Sequence, residues 1–542
     1  MQPLWYRNAV IYEIDIPLFR DSNGDGCGDL IGAADRLEHV RELGVDTVWL
    51  LPFYRSPFRD GGYDVIDHLV VDPRFGDNAD AAHLFDRADE LGIRVILDIV
   101  PQHTSIDHRW FQEARRDRSS RYRDYYVWSD EPVDTDIEPV FPTEEDSVWE
   151  WDEEAQQFYR HAFYRHEPDL ELGNPRVREE MYRIMAYWLR MGVGGFRVDA
   201  VPYMVERARA ADSRSEGLWL LEDMRKFVAM RQPEAILMGE VDVPVDQYDD
   251  YLGHDDRFTM LLDFWKNNHT FLALARGEAG PLEDAIREQP DPSGQGSFAN
   301  FLRNHDELDL EQLEQNEREE VLQVFAPEEQ MRAYGRGIRR RLAPMLGGDV
   351  RRTAMAHALL MGFPGTPVML YGDEIGMGDD LSLPERRAVR VPMQWSDAEG
   401  AGFSDAPAES LVAPIVTGGA FGHDKVNVDA QAAQADSLMT RVSRLVRGRI
   451  GALEIGGRDH RVLDTGSPAV FCQRHDLDGR VMVTAVNLSD ERVECRLEDE
   501  DLVGLVDVLT DRDYPRPEGT PTTFILDGYG YRWLRRRDQP GR

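Results

Sequence analysis

Lysine is nearly absent from this chain. It occurs only at Lys226, Lys266 and Lys425, among 62 basic side chains in 542 residues. Cysteine is as scarce: Cys27, Cys472 and Cys495 stand apart, with no CxxC spacing. That argues against a disulfide framework or a thiolate zinc site. No apolar run reaches the roughly 18 residues of a membrane-spanning helix. The opening stretch MQPLWYRNAVIYEIDI has no charged leader running into an apolar segment and a small-residue cleavage site. The expectation is a cytoplasmic protein without a membrane partner. Positive charge is outweighed, with 101 Asp and Glu and a formal net charge of −39. Such a chain repels phosphate backbones, which argues against nucleic acid as a partner. Two origins of the acidity stay open. Excess carboxylate keeps a protein hydrated in strong salt, and a GC-rich genome also favours arginine over lysine.

What is present is a large apolar fraction, 42% hydrophobic and 10% aromatic, enough for several cores. Short runs rich in Val, Ile and Leu recur at 9–16, 45–51, 94–100, 195–201, 235–241, 258–264, 299–306 and 366–372. Amphipathic stretches such as AADRLEHVRELG and NADAAHLFDRADELG lie between several of them. Near-continuous apolar strands separated by helices are the signature of parallel strands buried on both faces. Eight such units predict an α/β fold, a (β/α)₈ barrel of the TIM type, over residues 1–102 and 171–454. Residues 103–170 interrupt it after strand 3 and read as an inserted small lobe. Residues 307–350 interrupt it after strand 7; they are highly charged, read as helical, and suit a lid. From 455 to 542 short alternating strands predict a C-terminal antiparallel β-sandwich.

Barrel enzymes place their chemistry at the C-terminal ends of the strands. Those ends carry Asp98, Asp199, Glu240 and Asp306, with Arg197 two residues before Asp199, His305 beside Asp306, and His103 just past strand 3. Glycosidic bond cleavage needs an acid for the leaving oxygen and a carboxylate facing an oxocarbenium-like centre. Arg197 is expected to hold Asp199 ionised. Glu240, after the apolar AILMG, is expected to be raised toward a general acid. Each carboxylate alone reads better as a strand-end cap or salt-bridge partner; the set, in this order, does not.

In sequence order, DIVPQH (98–103), GFRVDAV (195–201), GE (239–240) and NHD (304–306) resemble the four motif regions of glycoside hydrolase family 13, the α-amylase family. WYRNAVIYEI, LPFYRSPFRDGGYD, YGDEIGMGD and VRVPMQW extend the resemblance toward the members that interconvert maltose and trehalose. The resemblance implies a double displacement. Asp199 would be the nucleophile, Glu240 the acid and then the base, and Asp306 the clamp on sugar hydroxyls. Tyr63, Asp64, His103, Arg197 and His305 would line the pocket of the transferred glucose, with Arg390 near Asp64. Asp98 would orient Arg197.

DSNGDGCGDL (21–30) begins like an EF-hand loop but lacks the closing Glu; residue 32 is glycine. The resemblance implies a shorter structural calcium loop built from Asp21, Asn23, Asp25, Asp29 and the backbone of Cys27. An Asx-rich turn without metal is the other reading. A second metal site would use residue 102, Asp169, Tyr203, Met204 and Glu206, but Gln102 is a methylene longer than the usual asparagine. No organic cofactor is expected. Two stretches depart from the maltose–trehalose pattern: 240–244, and TMLLDFWKNNHTF with Phe264, Trp265, Asn267 and Asn268. Both fall where the second sugar should sit. An α-glucosidase or a short-oligosaccharide hydrolase with a changed acceptor site is therefore the alternative. A non-catalytic sugar-binding protein is a third. A homodimer through the final domain stays open.

Overall fold

The computed structural model describes residues 4–536 except 134–136, 138, 212–213, 500–501 and 510–512. Eight parallel strands close into a barrel: β1 (Ile11–Ile14), β2 (Thr47–Leu50), β3 (Arg94–Ile99), β4 (Gly195–Val198), β5 (Ile236–Gly239), β6 (Met260–Leu262), β7 (Ser297–Phe301) and β8 (Thr366–Leu370). All eight overlap the expected runs and are shorter, β7 starting two residues early. The expected C-terminal ends of β4, β5 and β7 are loop and hold Asp199, Glu240 and Asp306, while Asp98 and Arg197 stay on β3 and β4. Alternation sorts the faces. Trp49, Ile96, Met238, Met260 and Val368 fill the barrel, while Val48, Leu97, Phe196, Leu237 and Met369 face the surrounding helices.

The helices start where the sequence supplies caps. The Asp29 side chain accepts from the Gly32 N–H ahead of α1 (Leu30–Leu43). Asp77 and Asp80 form a reciprocal capping box ahead of α2 (Asn78–Glu90), a device worth about 1 kcal/mol. On α1, Leu30, Ala33, Ala34, Leu37 and Val40 are buried, the spacing of one helical face.

The inserted lobe holds a helix (Arg109–Arg116) and a three-stranded sheet of Trp128–Ser129, Gln157–Arg160 and Trp149–Asp152. The insertion after β7 is only partly the helical segment expected. It has a helix at Gln315–Phe325 and a small sheet joining Leu308–Asp309, Gly337–Ile338 and Arg332–Ala333. The C-terminal domain forms a five-stranded antiparallel sheet and a two-stranded antiparallel sheet of Val493–Leu497 with Thr522–Leu526, around Cys472, Val483, Leu497, Phe524 and Leu534. The three cysteines are free. Among the described residues no helix is long and apolar enough to cross a membrane.

Candidate active site

Arg197 on β4 is the hub of the barrel mouth. It is fully buried, and its Nη1 donates to Asp98 Oδ1 at 2.9 Å and to Asp199 Oδ1 at 2.6 Å. Its Nη2 lies 2.8 Å from Glu240 Oε2. Three strand-end carboxylates thus share one guanidinium. Asp98 also accepts from Trp49 Nε1 at 3.2 Å and from the Tyr63 hydroxyl at 2.9 Å. It orients Arg197, as expected. After Asp199 the chain reverses through Ala200 at φ +52°, a costly conformation for a residue with a Cβ. The reversal aims the Ala200 N–H at Glu240 Oε2, 2.9 Å away. Arg197 holds Asp199 on one nitrogen and Glu240 on the other, so the two carboxyls stand side by side at the barrel mouth.

The electrostatics separate the two carboxyls, with one correction. Burial pushes Asp199 up to about 6; Arg197 opposes this without reversing it, and Asp98 adds like-charge repulsion. The expected depression by Arg197 therefore loses to desolvation. Burial pushes Glu240 further, to about 7, reinforced by Asp199 and Asp306 against Arg197. Glu240 takes a proton first, and Asp199 stays ionised at neutral pH. Those are the protonation states of an acid and a nucleophile.

Asp306 is the most strongly held anion of the site. Burial opposes its charge, but Arg386, Arg390 and Arg197, with the His305 ring nitrogen beside it, keep it well below the ordinary carboxylate range. Arg386 and Arg390 each reach its Oδ1 at 2.8 Å, and His305 Nε2 lies 3.1 Å from its Oδ2. The Tyr63 ring lies parallel to the His305 ring, 5.6 Å away. His103 is buried, its Nε2 3.8 Å from Glu167 Oε1, and burial pushes it down to about 4, which keeps the imidazole neutral.

Asp64 and Arg390 are not the neighbours expected. The carboxylate of Asp64 is spent on its own turn, accepting from the Ser56 hydroxyl at 2.8 Å and the Arg59 N–H at 3.2 Å. Arg390 turns instead to Asp306 and the carbonyl of His305. The carboxylate–arginine pair at this edge is Asp60 with Arg386, at 2.6 Å. Sequence reasoning missed both. The only available signal was a charged residue on each of two loops far apart in the chain.

A cavity opens beside Glu240 and Asp306, with Asp242, Phe264, Glu307 and Arg386 in its wall. Three loops roof it. Phe141 of the lobe packs on Tyr164 at 4.6 Å and on Tyr334 of the β7 insertion at 4.8 Å. The hydroxyls of Tyr164 and Tyr334 both donate to Glu385 Oε2, at 2.8 and 3.2 Å. Arg336 reaches the Val140 carbonyl at 3.3 Å. Of the departing stretch 259–271, only Phe264 faces the cavity. Trp265 donates to the Ala285 carbonyl, Asn267 to that of Phe301, and Asn268 to that of Asp309; these three are structural. Asp242 accepts from Gln312 Nε2 at 2.5 Å, and burial, reinforced by Asp309, pushes it well above the carboxylate range.

The 21–29 loop is folded by its own side chains. Asp21 accepts from the N–H groups of Asn23, Gly24 and Gly26 and from the Ser404 hydroxyl. Asp29 accepts from Ser22 and caps α1. Asn23 and Asp25 each hold one backbone N–H, at 2.9 Å, and keep exposed oxygens. Gly26 is obligatory: φ is +94°, and a Cβ would meet the Ser410 carbonyl at 2.2 Å. Among the described residues no three Asp, Glu, His or Cys side chains converge as a metal cage. Asp29, expected among the ligands, is spent on Ser22 and the helix cap; a cation here would rest on the hard oxygens of Asp21, Asn23 and Asp25 with the Cys27 carbonyl, a donor set of the kind calcium takes. The second metal site is not formed. Arg160 stands between Asp169 and Glu206 and bonds both, so a guanidinium supplies the positive charge there. The Gln102 amide is buried without a partner.

Residues 16–326 and 330–454 match the alpha amylase catalytic domain family, and 479–535 match the sucrose hydrolase-like C-terminal domain. The "Trehalose synthase/amylase TreS" of Mycobacterium tuberculosis is 38% identical, over 98% of this chain and 90% of that protein. The "Trehalose synthase" of Pimelobacter sp. is 36% identical, over 99% and 96%. Among solved structures, the alpha-glucosyl transfer enzyme XgtA superposes with a TM-score of 0.80 at 26% identity, over 99% of this chain and 100% of that one.

Proposed function

The chain belongs to the α-amylase family, and from that premise we propose that it interconverts maltose and trehalose by moving one glucosyl unit on Asp199. Asp199 attacks the anomeric carbon of the bound disaccharide while Glu240 gives its proton to the bridging oxygen. A β-glucosyl ester forms on Asp199, and one glucose is freed. The ionised Asp306 grips hydroxyls of the transferred sugar and favours its distortion. The freed glucose turns so that its anomeric hydroxyl faces the ester, Glu240 takes that proton, and the new bond forms with the α configuration retained.

Isomerisation and hydrolysis share the ester and differ only in what attacks it. The observation that carries the isomerase reading is the roof. Phe141 and Arg386 stand together in the wall of the cavity beside Glu240, and behind them Tyr334 packs on Phe141 and bonds Glu385, so that three different loops are joined there. Such a roof retains glucose and excludes water. The altered stretch at Val241–Pro244, with buried Asp242 on the acceptor side, favours the α-glucosidase alternative. Incubation with maltose, followed by NMR of the anomeric protons, separates the two. A trehalose signal growing faster than free glucose is expected. Glucose alone, appearing first as the α-anomer, would establish a retaining hydrolase. Neither product would leave a sugar-binding protein. The reading includes calcium on the 21–29 loop as a structural ion, supported by its oxygen donors.

A further inference from the structure

Glu13 lies on β1 beneath the catalytic carboxylates, and the reaction described above gives it no role. Its side chain is fully buried. Oε1 lies 2.5 Å from His305 Nδ1 and 3.2 Å from the His305 N–H, and Oε2 is buried with no partner. The far nitrogen of the same ring, Nε2, lies 2.8 Å from the Tyr63 hydroxyl and 3.1 Å from Asp306 Oδ2.

The proton positions follow from these neighbours. Asp306 is an anion, gripped by Arg386 and Arg390. A lone pair on Nε2 would face that carboxylate and be repelled, so Nε2 carries hydrogen. Tyr63 has one proton, and Asp98 Oδ2 at 2.9 Å accepts it. The Tyr63 oxygen is then an acceptor toward Nε2, consistent with the first assignment. Nδ1 is left with two options. Either it is protonated against an ionised Glu13, or it is bare and accepts a proton from a neutral Glu13.

The surroundings decide. Burial weighs against the ionised form of both members of the pair. Burial, then Asp306, with Asp98 further off, push Glu13 well above the carboxylate range; the His305 N–H and Arg197 oppose them without prevailing. Burial pushes His305 well below its usual value; Asp306 opposes this, while Arg390, Arg197 and Arg386 add to it. A carboxylate would also leave a charged Oε2 unbonded in the interior, the costly case; a carbonyl oxygen there costs far less.

We propose that Glu13 is a positioning residue: as a neutral acid it donates to His305 Nδ1 and so fixes the Nε2–H tautomer that faces Asp306 and the glucose pocket. The ring is thereby kept a donor on the substrate side. Without it the imidazole is free to place its proton on Nδ1 and turn a lone pair toward Asp306.

The proposal rests on the maltose–trehalose reading only for its kinetic arm. The first test uses wild-type protein with ¹⁵N-labelled histidine, the His305 signals being assigned by their loss in His305→Asn. Nε2 is expected to show the protonated-type shift and Nδ1 the bare-type shift, unchanged between roughly pH 5.5 and 8, where a free imidazole titrates. Protons on both nitrogens, or on Nδ1 alone, would overturn the assignment. The second test compares Glu13→Gln, whose amide supplies a neutral N–H donor, with Glu13→Leu. With thermal unfolding confirming both folds, Gln should keep kcat on maltose within about threefold, while Leu should lose about 100-fold with little change in KM. A Gln variant as impaired as Leu would show that charge, not donation, is required. Should wild type leave maltose untouched, the function reading falls while the nitrogen shifts still decide the proposal.

Discussion

At the scale of single residues, one guanidinium sets the behaviour of the site. Arg197 touches Asp98, Asp199 and Glu240, yet burial outweighs it and lifts Asp199 to about 6 and Glu240 to about 7. The signs then fix the pH dependence. Asp199 must be ionised to attack, so activity falls as pH drops through about 6. Glu240 must be protonated to release the leaving oxygen, so activity falls as pH rises through about 7. A narrow bell in kcat/KM is expected, its two limbs belonging to the pair. In Glu240→Gln the alkaline limb should vanish and kcat should drop by about 10²–10⁴. A flat profile across roughly pH 5 to 9 in wild type would contradict the assignment. Asp199, Glu240 and Asp306 were legible because each ends an apolar run. Asp60 and Arg386 were not, because their contact joins two loops and has no periodic trace in the sequence.

At the scale of elements, the roof decides between isomerase and hydrolase. Glu385 holds it shut by accepting from one tyrosine of the lobe and one of the β7 insertion. Hydrogen bonds to a charged partner contribute about 1.5–3 kcal/mol each. Glu385→Ala should loosen the roof without touching Asp199 or Glu240. The share of free glucose among the products should rise several-fold, with maltose consumption held within about twofold. A product ratio equal to wild type would mean that glucose is retained by other contacts. The eight strands and capped helices were readable because period and caps are local. The lid was only half readable. Its helix at Gln315–Phe325 follows composition, but the sheet of Leu308–Asp309, Gly337–Ile338 and Arg332–Ala333 has two-residue strands, too short to leave a pattern. Trp265, Asn267 and Asn268 misled for a related reason. Polar and aromatic residues beside a site suggest ligand contact, but here they satisfy backbone carbonyls left open at the ends of other elements.

At the scale of the whole molecule, the 21–29 loop joins parts of the chain far apart in sequence. The Asp21 N–H donates to the Phe403 carbonyl at 3.0 Å, and the Val412 N–H donates to that of Gly26 at 2.9 Å. The loop thus ties the start of the barrel to the segment following β8. In a chain of net charge −39, a bound divalent cation would relieve repulsion where that tie is made. A ligand that binds only the folded state, present at 100 times its Kd, stabilises by about 2.7 kcal/mol. Removing calcium with a chelator should therefore lower Tm by a few degrees, and calcium but not magnesium should restore it, since magnesium demands a smaller octahedral site. Asp25→Ala separates the ion from the turn. Asp25 is exposed and its side chain holds only the Cys27 N–H, so the variant should unfold near the Tm of the chelated wild type and no longer respond to calcium. If chelation leaves the wild-type Tm in place, the Asp21 hydrogen bonds alone hold this tie, and DSNGDGCGDL is an Asx-rich turn that needs no metal.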